Sequence, residues 1–371
     1  MRALTAMLFY RISNKWYKSL MPKPNLYDLT LEEITRRLAE YGEAAYRARQ
    51  IFEWLYEKDV SDVGRMTNLS AAVRAKLAAE WSTEIPVVEK IVEAEDGTEK
   101  FLLRLASSDK KTGEPHRIES VLMPADDRMT LCISSQVGCA LDCIFCATAT
   151  MGFKHNLAPS EIVGQVILAK RRLVEKGKRL SNIVFMGMGE PLLNFDSVCT
   201  ALSNLTGKES MGMSPSRITV STAGVADRLK ELGERFAVNI AISLNAPNPK
   251  LREDIMPRVA GKHDLDSLLV AAKEIGKTRR KPVTFEYVLL AGVTDGAAEA
   301  KELIRLISSI RCKVNLIPFN PFPGSKFKRP DPQQVLAFQK ILWDSGVQAY
   351  IRWSQGLDVN AACGQLAVGG K

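Results

Sequence analysis

Three of the seven cysteines, Cys139, Cys143 and Cys146, fall within eight residues in the stretch Val-Gly-Cys-Ala-Leu-Asp-Cys-Ile-Phe-Cys-Ala-Thr. Soft thiolates at that density bind zinc or iron–sulfur clusters. A structural zinc closes its tetrahedron with a fourth Cys or His. The nearby candidate is His155, nine residues beyond Cys146 and outside tight finger spacing. A 4Fe–4S cluster held by three thiolates instead leaves one iron open to a small molecule. The spacing favours the open cluster over zinc, and both over three buried, unligated thiols.

A second candidate is Met186-Gly-Met-Gly189-Glu190-Pro191. Its glycines let backbone approach a ligand, and its carboxylate can pair with an ammonium group. Alone, such a turn is an ordinary strand-to-helix connection. Ser221 in Val-Ser-Thr-Ala-Gly, Ser243 to Asn245 in Ser-Leu-Asn, and Asn320 in Ile-Pro-Phe-Asn-Pro add polar groups at further strand ends. Each reads equally as turn chemistry, but their recurrence on successive strands argues for convergence on one pocket. Two isolated cysteines, Cys132 and Cys363, read blandly as a buried small hydrophobe and an incidental thiol.

These residues need elements to hold them. Thr30 with Glu33 makes a capping box before Leu31, Ile34 and Leu38 at helical spacing. A second helical stretch buries Ala48, Ile51, Phe52 and Leu55, and a third starts at Ser70 and runs through Val73 and Leu77. Strands follow, Val87–Val92 and Phe101–Leu105, around a Glu95-Asp96-Gly97 turn. From Met129 onward six β-branched runs alternate with amphipathic segments such as Ser160–Val174 and Leu265–Ile275. The six runs are Leu131–Ser134, Ile183–Met186, Ile218–Thr222, Val238–Leu244, Val283–Leu289 and Val314–Pro318. This is the pattern of a parallel α/β sheet with right-handed crossovers. Periodicity does not choose between a doubly wound sheet and an incomplete barrel; either puts chemistry at the carboxyl ends of the strands. The expected organisation is a basic, poorly ordered lead-in over 1–24, a helical unit over 25–85, a β-rich connection over 86–124 and the βα domain over 125–371.

With 46% hydrophobic and 25% charged residues, the 371-residue chain can bury a core and is not globally disordered. An odd cysteine count in a long chain argues against a secreted disulfide scaffold, and no apolar run approaches a membrane span. A soluble, cytoplasmic protein is expected. Fifty-one basic against forty-two acidic residues leave +9, which suits a polyanionic partner. The basic residues cluster at Lys170–Arg172, Lys176–Arg179, Lys277–Lys281 and Lys326–Arg329. Any one reads as a solvated helix end; together they could form a phosphate track.

The C-x3-C-x2-C spacing, with Phe145 before the last cysteine, resembles the radical S-adenosylmethionine (SAM) superfamily. Ala-Ala-Cys363-Gly-Gln-Leu, and the block from Cys146-Ala-Thr through Met151-Gly-Phe-Lys to Glu161-Ile-Val-Gly-Gln, resemble the RlmN family of radical SAM RNA methyltransferases. The similarity runs from about residue 25 to 367.

The resemblance implies an incomplete parallel (βα)6 barrel with a small N-terminal helical domain that reads RNA shape. It implies one 4Fe–4S cluster on Cys139, Cys143 and Cys146. It also implies SAM, two molecules per turnover, held by Gly189, Glu190, Ser221, Ser243, Leu244, Asn245 and Asn320. Cys363 becomes an S-methylcysteine, Cys132 resolves the RNA adduct through a transient disulfide with Cys363, and Glu119 accepts a proton. The implied substrates are adenine C2 in 23S rRNA and tRNA. A flavodoxin or ferredoxin is the implied reductant, and a monomer is expected.

Three rivals remain at this stage. One is the sister C8 activity of the Cfr type, against which Met151-Gly-Phe speaks. The second is a radical activase, which would not need Cys132 or Cys363, and the third a zinc-holding RNA-binding protein. Two positions depart from the family pattern. Ala149 replaces a glycine beside the cluster, and Gln355 replaces an arginine before the C-terminal cysteine.

Overall fold

The computed structural model describes residues 23–279 and 281–368. The lead-in expected over 1–24 therefore falls, apart from Lys23 and Pro24, outside the described residues. The chain divides into two compact units, one ending at Glu84 and the other beginning at Ile85.

The first unit is helical. Thr30 Oγ1 accepts from Glu33 N at 3.3 Å while Thr30 N donates to Glu33 Oε2 at 2.7 Å, so the capping box satisfies two orphan donors of the Leu31–Glu40 helix. The Tyr46–Phe52 helix widens into a π-turn over Glu53–Glu57, and Ser70 caps Ala71–Glu80. Their apolar faces bury Ile34, Leu38, Ile51, Phe52, Leu55 and Leu77. Tyr27 joins them edge-on to Tyr56, with ring centroids 5.4 Å apart.

The second unit is built on one ten-stranded sheet. In chain order the strands are β1 (Val87–Glu93), β2 (Glu99–Ser108), β3 (Pro115–Ala125), β4 (Arg128–Cys132), β5 (Gln136–Val137), β6 (His155–Asn156), β7 (Asn182–Phe185), β8 (Ile218–Thr222), β9 (Asn239–Ser243), β10 (Val283–Leu289), β11 (Cys312–Pro318) and β12 (Ala349–Ile351). The order across the sheet is β1-β2-β3-β4-β7-β8-β9-β10-β11-β12, with β5 and β6 forming a separate ladder. Strands β1 to β4 are antiparallel, and from β4 to β12 every pair is parallel.

Each parallel strand is laid beside its predecessor with no reversal. A doubly wound sheet must reverse at a switch point, whereas right-handed crossovers added in one direction put every helix on one face and curl the sheet toward a barrel. That order is a singly wound parallel α/β sheet, the expected incomplete barrel rather than the doubly wound alternative. Two features differ from the sequence reading. The β-rich stretch after residue 86 is continuous with the main sheet, because the turn at Asp126 (φ 51°) pairs β3 with β4 from Ala125↔Arg128 to Val121↔Cys132. A seventh parallel strand, β12, extends the six; three residues are too few to show a period. Among the described residues no helix is long and apolar enough to cross a membrane.

Candidate active site

The cysteine loop leaves the sheet just past β4 and is closed at its neck by β5 and β6, with Val137 opposite His155 and Gln136 opposite Asn156. Inside the neck Cys139 N donates to Gly152 O at 3.2 Å. Gly138 makes that closure possible: its φ is +70°, and a Cβ there would lie 1.7 Å from Gly152 O. Cys146 N donates to Cys143 O (3.0 Å), and the short helix Ala147–Thr150 starts at once. Ala149 sits inside that helix and needs no positive φ, so the substitution there is accommodated. Leu141 and Phe145 of the loop join Ile255, Met256 and Phe319 in one apolar cluster, and Ile144 N is held by Ile255 O at 3.1 Å.

All three thiols line one cavity of about 170 Å³. Burial pushes Cys139 up to about 12 and raises Cys143 well above the ordinary thiol value, with the neighbouring sulfurs adding to the shift. Such thiols shed their protons to a metal. Among the described residues no three His, Cys, Asp or Glu side chains group around a single-ion position. A cubane asks for something else, one iron per thiolate around a shared hollow. His155, the fourth ligand a zinc would need, turns to Glu161 (3.4 Å) and stacks on His116. The donor set fits an open iron–sulfur cluster.

The cavity walls are the carboxyl ends of the parallel strands. Glu190, 3% exposed, accepts from Leu192 N (3.0 Å) and Ala223 N (2.7 Å), and its own N donates to Gln136 Oε1 (2.8 Å). Burial raises its pKa despite those donors, so a ligand ammonium would relieve a strained charge. Ser221, Ser243, Asn245, Gly189 and Asn320 line the same space. Asn245 takes φ +60°, and its Oδ1 accepts from Val288 N at 3.1 Å. Leu244 does not line the cavity: strand alternation turns it into the core between Ser243 and Asn245. Glu286 on β10, unseen in the sequence reading, is buried in the wall, where Asn315 Nδ2 donates to its carboxylate at 2.9 Å.

The C-terminal loop brings Cys363 to this cavity. Asn320 Nδ2 donates to Cys363 O (3.0 Å), while Asn320 Oδ1 accepts from Arg329 Nη1 (2.7 Å) and Ser354 Oγ (2.5 Å). Ala147 N donates to Gly364 O (2.7 Å) and Thr148 Oγ1 to Leu366 O (2.6 Å), so the loop is fastened to the helix directly after Cys146. Gln355 Nε2 donates to Pro124 O at 2.7 Å, supplying an anchor where the family pattern has arginine. The Cys363 thiol faces the hollow yet is ringed by protein, which pushes it up to about 11.

Cys132 and Glu119 lie outside the lining. Register explains their meeting. Val121 pairs with both Lys100 and Cys132, and Glu119 is two residues from Val121, so Lys100, Glu119 and Cys132 share one sheet face. Lys100 Nζ pairs with Glu119 Oε1 at 3.2 Å, and Glu119 Oε2 accepts from Ala367 N at 3.0 Å, beside the Cys363 loop. The buried Cys132 thiol is raised chiefly by burial and next by Cys363. All seven cysteines are free thiols here, so the expected Cys132–Cys363 disulfide is not formed in this structure.

Residues 24–82 match the family model described as the ribosomal RNA large subunit methyltransferase N-terminal domain, and residues 133–307 match the radical SAM superfamily. The chain is 46% identical over 344 residues to the dual-specificity RNA methyltransferase RlmN of Solidesulfovibrio magneticus, covering 92% of this chain and 96% of that one. Identity to the same-named protein of Nitratidesulfovibrio vulgaris is 44%, over 92% and 94% of the two chains. The chain belongs to the RlmN family of radical SAM RNA methyltransferases. A crystal structure of a radical SAM methyltransferase from Sphaerobacter thermophilus superposes with a TM-score of 0.86 at 43% identity, covering 92% of this chain and 99% of that one. Radical SAM membership in turn implies a 4Fe–4S cluster and SAM.

Within the RlmN-family fold the basic runs prove unequal. Arg172 Nε pairs with Glu99 at 2.8 Å, and Lys176 pairs with Glu99 and Glu93. The two cations hold the Glu99 carboxyl below its usual range against burial. Arg329 is committed to Asn320 and Ser354, and Arg279 to the Val238 carbonyl. Lys176→Ala should therefore change the slope of log affinity against log salt for RNA by less than the roughly 0.7 of a single-strand phosphate contact; a filter-binding salt series reads it.

The raised Glu190 pKa makes a pH prediction. A carboxyl whose folded pKa lies above its unfolded value keeps its proton longer when folded, so its contribution to stability falls as pH rises above the ordinary 4.5. In ligand-free protein the stability of Glu190→Gln relative to wild type should therefore improve between pH 4.5 and neutrality. Urea unfolding at several pH values checks the sign. A difference that is flat or opposite in slope contradicts the raised pKa.

Proposed function

We propose that this chain methylates C2 of an adenine in 23S rRNA and in tRNA, using two SAM molecules per turnover. The observation that carries the reading is that Cys363 opens into the same cavity as Cys139, Cys143 and Cys146. The cluster, when bound, supplies the electron that cleaves a SAM sulfonium to methionine and a 5′-deoxyadenosyl radical. The remaining roles belong to the chain. Glu190 and the strand tips at Gly189, Ser221, Ser243, the Leu244 backbone, Asn245 and Asn320 orient SAM, with Asn320 also steadying the Cys363 carbonyl.

An adenine amidine carbon is electrophilic, so polar transfer of a sulfonium methyl to it fails. Cys363 therefore takes the methyl first, as a nucleophile on one SAM. The sulfonium's positive charge lowers a thiol pKa that burial has raised. The radical from the second SAM removes a hydrogen from the S-methyl group, and the resulting carbon adds to C2. The addition leaves one unpaired electron on the base; Glu119, paired with Lys100, takes the C2 proton, and that electron would return to the iron–sulfur centre the triad holds. Cys132 then attacks the Cys363 sulfur, so that the sulfur–carbon bond breaks, the freed carbon takes a proton to become the methyl group, and a transient disulfide remains. The target base must leave its stack to reach so enclosed a site, a task that suits the helical unit. A flavodoxin or ferredoxin returns electrons, and the enzyme works as a cytoplasmic monomer.

The test is anaerobic reconstitution with iron and sulfide, then incubation with SAM, reductant and an rRNA fragment. The expected products are 2-methyladenine, 5′-deoxyadenosine and S-adenosylhomocysteine. Only 8-methyladenine would move the enzyme to the Cfr-type reaction, and no methylated base would overturn the reading.

A further inference from the structure

Among the described residues Arg252 is the largest fully buried side chain, 1% exposed. It stands on the Pro249–Ile255 helix. Its Nη1 donates to Leu244 O (2.6 Å) and Ser243 O (3.3 Å), and its Nη2 to Ala223 O (2.6 Å). Its Nε has no partner, and among the described residues no carboxylate pairs with it. A guanidinium taken out of water is tolerated when an anion meets it. Carbonyl dipoles meet three of its five N–H groups and none of its charge.

The helix that carries Arg252 is fixed to the cysteine loop. Ile255 O receives Ile144 N (3.1 Å), and just beyond the helix Arg258 pairs with Asp142 (2.6 Å) and donates to Ala140 O (3.3 Å). Cys143 packs against the apolar cluster that holds Ile255 and Met256, and so does Leu251, the residue before Arg252.

We propose that Arg252 is the counter-charge of the iron–sulfur cluster at its Cys143 corner, a positioning residue that makes reduction of the cluster easier. A 4Fe–4S core of charge two plus on three thiolates carries one net negative charge, and the electron received from a low-potential one-electron donor makes it two. A fixed cation in a dry wall stabilises the doubly negative state more than the singly negative one. The same side chain ties the tips of β8 and β9, so cofactor-wall geometry and electron uptake depend on one residue. The inference rests on the cluster assignment and not on the RNA chemistry.

The test is a redox titration, without SAM, of anaerobically reconstituted wild type, Arg252→Lys and Arg252→Met. Iron and sulfide content reads the cluster assignment separately from the potential. Arg252→Met should shift the reduction equilibrium at least tenfold toward the oxidised cluster, about 59 mV to the negative, while Arg252→Lys stays within threefold of wild type. A folded Met variant that fails to keep iron, beside a Lys variant that keeps it, supports the same charge requirement. If the Met chain does not fold, Arg252→Gln takes its place. A loaded neutral variant with the wild-type potential overturns the proposal. So do equal shifts in the Lys and neutral variants, or failure of all of them to fold.

Discussion

Replacing Cys132 with alanine is expected to leave the enzyme covalently bound to RNA, and replacing Cys363 with alanine to leave neither adduct nor product. The two thiols sit on different elements, Cys132 at the end of β4 and Cys363 in the C-terminal loop, and under the proposed sequence they act at different moments. Without Cys363 there is no methyl carrier, and turnover should fall by at least ~10³-fold, as when an enzyme loses its nucleophile. Iron content should not change, because Cys363 lies outside the cluster triad. Without Cys132 the carrier still loads and still adds to the base, but no thiol attacks the Cys363 sulfur. A denaturing gel of the anaerobic reaction should then show an RNA-shifted protein band that Cys132→Ala accumulates and wild type does not. Methylated nucleoside from Cys363→Ala, or no adduct from Cys132→Ala, would contradict the assignment.

Gly138→Ala should empty the metal site without touching a ligand. The added methyl meets Gly152 O at 1.7 Å, a backbone atom that no rotamer change can move aside. Relief requires the neck between β5 and β6 to open, which breaks the Cys139–Gly152 hydrogen bond. Gly152→Ala is the control: its φ is +61° with nothing within 4 Å of a Cβ, so it should cost only about 1–2 kcal/mol of left-handed strain. Iron per chain should drop to a small fraction in Gly138→Ala and stay close to wild type in Gly152→Ala. Equal iron in the two variants would show that the neck does not set the cysteine geometry.

How much of this could be read from the residues follows from what is local. The cysteine triad declared itself because its spacing is a property of eight adjacent residues, and the helix caps at Thr30 and Ser70 did so for the same reason. The parallel strands were legible as β-branched runs between amphipathic segments, but their order was not. It took the pairing of each strand with its predecessor to choose the incomplete barrel over the doubly wound sheet. Lys100 beside Glu119 needed the register of β2, β3 and β4, and nothing in a solvated-looking Lys-Phe-Leu-Leu predicts a buried ion pair. Glu286 and Arg252 were missed because charged residues in a strand and a short helix read as surface until the fold closes over them. Leu244 was included through the family motif, yet the alternation that exposes Ser243 to the cavity hides its neighbour. The basic runs misled in the opposite sense, since Glu99 and Glu93, far away in sequence, occupy Arg172 and Lys176.

The loop that delivers Cys363 is moored largely to main-chain atoms: the carbonyls of Cys363, Gly364 and Leu366 receive Asn320, Ala147 and Thr148, and the Ala367 amide reaches Glu119. Peptide groups are common to every sequence, so these four links are indifferent to which side chains the segment carries, whereas Gln355, Asp358 and Gln365 tie it to Pro124, Glu95 and Pro321 through their own side chains. A swap of residues 355–367 with the equivalent stretch of a relative that keeps those three ought to dock unaided, which makes the segment a portable cassette for exchanging what surrounds the sulfur while its seat stays the same.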